Sequence, residues 1–88
     1  MIPYHEFNEY LNKYLLIKME SGAKYLGVLS SIKSKQNKIC LTKLGIVNHN
    51  DGITHSKKDT SREFSCGKIA NFSVIEDYND LCRVLRSF

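Results

Sequence analysis

Apolar residues recur along this chain in two rhythms. From Tyr14 to Glu20, Leu15, Ile17 and Met19 alternate with Leu16 and Lys18, the two-residue period of a strand. Ser21-Gly22 reads as a turn, and Ala23 to Lys33 as a second, longer strand with Gly27 at its middle. A glycine there marks a bend or a close backbone approach, which lets a small sheet curl toward a barrel. A third strand is predicted from about Lys38 to Leu44, with Ile39 and Leu41 on one face, and a short fourth from Arg62 to Cys66 around Phe64. The fifth, Ile69 to Glu76, alternates again, with Ala70, Phe72 and Val74 inward and Asn71 and Ser73 outward. Two segments follow a helical rhythm instead. Pro3 suits a first helical turn, and Tyr4, Phe7, Tyr10 and Leu11 recur at spacings of three and four, leaving His5, Glu6, Asn8 and Glu9 toward water. So short a helix does not hold alone, so its aromatic stripe must lie over the mouth of the sheet. Near the other end, Asp77 or Asn79 caps a helix with Tyr78, Leu81, Val84, Leu85 and Phe88 on one stripe.

The prediction is one domain over 1–88: an N-terminal helix within 1–12, a five-stranded antiparallel sheet over 14–76, and a C-terminal helix over 77–88. It is an all-β-dominated fold, a strongly bent sheet forming a small open barrel. Residues 45–61 (GIVNHNDGITHSKKDT and one neighbour), rich in Asn, Asp, Gly, Ser, Thr and Lys, read as a variable loop or hairpin tip.

Composition changes this picture little. The 88 residues carry 13 Lys and Arg against 9 Asp and Glu, a net charge of +4 with the positive residues scattered, so the excess permits nucleic-acid contact without indicating it. The basic cluster Lys57, Lys58 and Arg62 reads first as a solubilising loop. Three widely spaced cysteines, Cys40, Cys66 and Cys82, make neither a disulfide framework nor a zinc knuckle, and point to a reducing compartment, cytoplasm or nucleus. No apolar run approaches a membrane span, and the first residues, which include Glu6, form no targeting segment.

His49 and His55 share a polar loop with Asp51 and Asp59, a poor cage for a metal, so no metal or other cofactor is expected. Cys40 and Cys66 fall inside strand patterns, as small core residues do, rather than beside a histidine in a cleft. Glu76-Asp77 lies at a strand-to-helix junction, where capping accounts for it. Gly22 and Gly27 are used by the turn and the bend, leaving no phosphate loop. No enzymatic activity is expected.

A helix followed by five short strands, the second bent at a glycine, resembles the Sm/LSm family. The first family motif is carried by Leu15, Ile17, Met19, Gly22, Tyr25 and Gly27, followed by Leu29 and Ile32. The second survives as Cys66-Gly67, where the family typically has Arg-Gly, and the resemblance covers about residues 3–76. RNA-binding members sandwich a base with an Asp, a stacking side chain, an Asn and that Arg. The corresponding positions here hold Lys33, Gln36, Asn37 and Cys66. The resemblance therefore implies loss of the usual RNA pocket, leaving Asn37, Lys38, Lys57 and Lys58 as the residues still suited to weak RNA contact.

Among divergent branches, the run Glu6-Phe7, Tyr10, Leu15 to Met19 and Tyr25-Leu26-Gly27 is similar to the sixth-Gemin type of Sm-fold subunit in the survival-of-motor-neuron (SMN) complex. That resemblance implies a scaffold in assembly of spliceosomal small nuclear ribonucleoproteins (snRNPs). Its partners would be a second Sm-fold protein of the seventh-Gemin type and a helical tethering subunit, with no small-molecule substrate. Sm subunits join fourth strand to fifth, so the expected interface is Arg62, Glu63, Phe64, Ser65 and Cys66 on one side, and Ile69, Asn71, Ser73 and Ile75 on the other. The stripe Leu81, Val84, Leu85 and Phe88 is expected either to dock a partner or to pack on its own domain. Two alternatives stand beside this. Lys38-Ile39-Cys40-Leu41-Thr42-Lys43 and Gly67-Lys68-Ile69 are similar to the LSm adaptor domains of mRNA-decapping scaffolds, and an RNA-binding LSm ring subunit is the other.

Overall fold

A computed structural model describes residues 2–48, 50, 52–55 and 60–88. A 3-10 helix over Tyr4–Tyr10 precedes strands β1 (Tyr14–Met19), β2 (Lys24–Lys33) and β3 (Lys38–Val47). Strands β4 (Ile53–His55), β5 (Arg62–Ser65) and β6 (Ile69–Ile75) and helix α1 (Tyr78–Ser87) complete the chain. The sheet is antiparallel in the order β4-β3-β2-β1-β6, with β5 also on β3.

The bend falls where the glycine stands. Leu26 lies opposite Gly45 and Val28 opposite Thr42, so β3 spends one residue more than β2 across Gly27. Such a bulge turns the strand, and Lys43 takes the left-handed backbone that this requires (φ 52°). Gly27 lets the two backbones close up: a Cβ there would stand 2.8 Å from the Thr42 carbonyl oxygen and 3.0 Å from Leu41 Cβ. The β1–β2 turn needs its glycine for a different reason, since Gly22 has φ +94°.

Bending creates an inside and an outside, and both are buried. Inside lie Phe7, Leu15, Ile17, Leu29, Ile39, Leu41, Leu44, Phe64, Cys66 and Ile69. The N-terminal helix closes this barrel-like core with Phe7, which is 0% exposed and meets Phe72 at a ring-centroid distance of 4.6 Å. On the other face Leu16, Leu26 and Val47 pack under Leu81, Val84 and Leu85 of α1. Asp77 caps that helix, its carboxylate accepting the Asp80 N–H at 2.7 Å, and Lys18 Nζ donates to the Phe88 carbonyl at 3.1 Å.

Three features depart from the sequence reading, and a fourth decides between two placements it left open. The N-terminal helix is 3-10 rather than α, which suits a single buried anchor, Phe7. The described residues form six strands rather than five: β3 runs on to Val47 and pairs with β4, Gly45 opposite His55 and Val47 opposite Ile53, inside the segment read as a variable loop or hairpin tip. Together β4 and β5 line one long side of β3 in two pieces. The inward alternation expected for β6 also fails at its start. Ala70 is exposed while Ile69, assigned to the interface face, is wholly buried, because the β1–β6 register shifts between Lys18 and Met19. Finally, the α1 stripe packs on its own sheet, so Leu81, Val84 and Leu85 are already covered.

Candidate functional site

An antiparallel strand bonds its neighbour through alternate residues and turns the remaining N–H and C=O groups to the far side. Among the described residues β6 pairs only with β1, and β5 pairs only with β3. Both therefore present an open edge, joined around a corner by the 3-10 turn Cys66–Lys68. Of the interface residues expected from sequence, Arg62, Glu63 and Asn71 are exposed, and Ser65, Ser73 and Ile75 are half-buried. Phe64, Cys66 and Ile69 are buried in the domain's own core. Their side chains hold the edge in place and leave only backbone to a partner.

The residues that the resemblance sets at Sm/LSm base-binding positions do come together. The Cys66 N–H donates to the Asn37 carbonyl at 2.9 Å, and Asn37 sits in the left-handed region (φ 53°) after the turn Ser34–Gln36. Their chemistry is altered. Lys33 pairs with the Glu63 carboxylate, and Lys38 approaches it at 3.9 Å. The Lys33 hydrogen bond holds the Glu63 carboxyl below its ordinary value, and Lys33 is raised in turn by that bond. Burial pushes the Cys66 thiol up, so it stays neutral. What is left offers no guanidinium at position 66 and no aromatic face at position 36 for a base. Lys57 and Lys58, and the loop residues His49, Asp51 and Asp59, lie outside the described residues.

A second feature, which the sequence reading missed, flanks the β5 edge. Arg62 and Phe64 share one face of β5 with Tyr25 of β2. The Arg62 guanidinium lies 5.0 Å from the Tyr25 ring centroid and 5.4 Å from that of Phe64, and it donates to the Tyr25 hydroxyl at 3.4 Å. With Met19, Glu20 and Lys68 these residues line a cleft of about 250 Å³. From sequence, Tyr25 belongs only to the fold motif. The available signal was the alternation of Arg62 and Phe64 on a predicted edge strand. A third surface lies beside α1. Two apolar clefts of about 360 and 280 Å³ share Leu26, Tyr78 and Leu81, and Tyr78 is 76% exposed.

No protein-family model matches the sequence, and no curated protein matches it. Solved structures do match it in shape. A heptameric archaeal Sm protein superposes with a TM-score of 0.66 at 11% identity, covering 82% of this chain and 98% of its own. The P. aerophilum SmAP1 heptamer gives 0.66 at 12% identity, covering 83% and 92%. A Sm-like archaeal protein from Pyrobaculum aerophilum gives 0.59 at 18% identity over 84% of this chain and about half (52%) of its own. The chain has the Sm fold. At such identities the likeness speaks for the fold alone.

Proposed function

We propose that this chain is a non-catalytic Sm-type scaffold subunit that pairs with another Sm-fold chain through its two open edges, Arg62–Cys66 and Ile69–Ile75. The observation that carries the reading is the combination of open β5 and β6 edges with a base-binding position remade by Cys66 and by the Lys33–Glu63 pair. Edges of this kind invite strand addition. The shape-matched archaeal proteins include heptamers, which supports association with Sm-fold partners. We place the chain in the SMN complex during assembly of spliceosomal snRNPs, in cytoplasm and nucleus, with a seventh-Gemin-type partner and a helical tether. The resemblance of the Glu6–Gly27 run supports that finer reading.

The test is capture of the tagged chain from its native cells, with identification of what it retains. Sm-fold and SMN-type subunits are expected, lost from a Ser65→Pro variant that circular dichroism shows to be folded. The clefts beside Tyr78 and Leu81 favour a second reading, an LSm adaptor that takes up short apolar peptides of the mRNA-decapping machinery. Recovery of decapping factors, retained by Ser65→Pro and lost on Tyr78→Ser, would replace the first reading with the second.

A further inference from the structure

Helix α1 leaves apolar surface uncovered where it starts. Tyr14 of β1 lies opposite Ile75 of β6, and both line the cleft of about 280 Å³ with Leu26 and Tyr78. Tyr14 and Tyr78 are 42% and 76% exposed, so much of each ring is open to a visitor. The same cleft is bordered by Glu76 and Asp77. Three of the chain's 9 acidic residues, Glu76, Asp77 and Asp80, stand close together here, in a protein whose net charge is +4. Asp77 caps α1, and Asp80 pairs with Arg83. The Glu76 carboxylate is exposed and makes no ion pair among the described residues.

A wholly apolar occupant would strip water from these carboxylates and return nothing. A bare cation would gain little from so exposed an ion pair. A long alkyl stem ending in a positive charge meets both demands, with its methylenes on Leu26 and Ile75 and its head near Glu76 and the tyrosine rings. Past Tyr78 the second cleft, of about 360 Å³, runs on to Cys82 and Leu85, and no charged residue is in its lining among the described residues. It lies about one helical turn, roughly 5 Å, further along α1, a spacing that side chains on one face of a short segment match. We propose that the paired clefts bind a segment of a partner protein that sets a Lys or Arg against Tyr14, Tyr78 and Glu76, and a large apolar side chain beside Cys82 and Leu85. The inference rests on the second reading above, which makes these clefts a docking site, and adds the charge that the docked segment must carry. It does not involve the β5 and β6 edges.

Fluorescence anisotropy of the full chain with two labelled peptides tests this. One peptide carries Leu and, one helical turn on, Lys; the other has norleucine in place of that Lys, which keeps the stem and removes the charge. The Lys peptide is expected to bind roughly fivefold or more tightly than the norleucine peptide at low salt, and the gap should close as salt is raised. Glu76→Lys should abolish the preference, whereas Glu6→Lys, an equal change in net charge at an exposed site on the N-terminal helix, should keep it. Tyr78→Ser, at a position that is mostly exposed, should weaken both peptides by roughly tenfold while circular dichroism stays unchanged. If the two peptides bind equally and both need Tyr78, the clefts take apolar segments and the charge proposal alone falls. A preference that survives Glu76→Lys would also overturn it. If neither peptide binds, or binding survives Tyr78→Ser, the clefts are not a docking site and the second reading falls with the proposal.

Discussion

Gly27→Ala places one methyl group at the tightest point of the sheet. Its Cβ would lie 2.8 Å from the Thr42 carbonyl oxygen and 3.0 Å from Leu41 Cβ, where carbon contacts are comfortable at about 3.5–4.0 Å. Neither neighbour yields easily: one is backbone of the paired strand β3, and Leu41 is wholly buried. β2 and β3 must separate by a good fraction of an ångström at the bend. Overpacking of this kind costs about 1–3 kcal/mol, and the reduced freedom of the unfolded alanine chain returns about 0.4–1 kcal/mol. The expected net loss is about 1.3 kcal/mol, roughly 5–10 °C in melting temperature for a domain of this length. Thermal unfolding followed by circular dichroism measures it, with two internal controls. Gly67→Ala meets nothing nearer than Ser65 Oγ at 3.8 Å and should stay within about 0.5 kcal/mol of wild type. Gly22→Ala has open space but φ +94°, and should lose about 1 kcal/mol through backbone strain alone. A Gly27→Ala protein as stable as Gly67→Ala would refute the view that close backbone approach makes the bend.

Phe7→Ala removes the buried plug of the barrel mouth and its contact with Phe72, and should cost about 3–5 kcal/mol in urea unfolding, a large share of the roughly 5–15 kcal/mol a domain has. Asp80 is held below its ordinary value of 3.8, first by the Glu76 N–H and then by Arg83. A depressed carboxyl stabilises the fold above its unfolded value and ceases to as pH falls through the folded one. Melting temperature should therefore drop below about pH 3.8, and less in Asp80→Asn. Cys66, buried and with its thiol raised, should be alkylated by iodoacetamide only as the chain opens, whereas the half-buried Cys40 and Cys82 react in the native state; equal rates at all three would contradict the core assignment.

Strand positions were legible where one face repeats strictly: Leu15 and Ile17 in β1, and Ile39 and Leu41 in β3, all lie in the inner core as their alternation required. Gly27 was legible as a bend because a central strand has little other use for a glycine. What escaped was decided by neighbours rather than by local pattern. Leu16 looked like an outward residue among alternating ones, yet it is wholly buried, because α1 returns to cover that face. β4 was hidden in polar composition, although Ile46, Val47 and Ile53 were the apolar trace of a short hairpin. Ile69 changed sides through a register shift that arises in the pairing of two strands far apart in sequence. For the candidate site, the edges followed from the strand order. The Arg62–Tyr25–Phe64 cluster did not, since it needs the sheet to fold over before β2 and β5 share a face.

The hydrogen bond from Lys18 to the Phe88 carbonyl joins residues 70 positions apart. It is one sign of a strand whose surroundings arrive late. β1 meets β2 after a single tight turn, but its other edge waits for β6 and its outer face for α1. On a translating ribosome the β2–β3 pair therefore has its partners early, while β1, flanked on both sides in the finished sheet, stays open on one edge and one apolar face until β6 and α1 have been made. Contacts of such long range slow folding and prolong exposure to other chains. Pulse-labelled amide exchange should find β2 and β3 protected before β6. The interval between those two events is when this chain is most open to capture by the wrong strand.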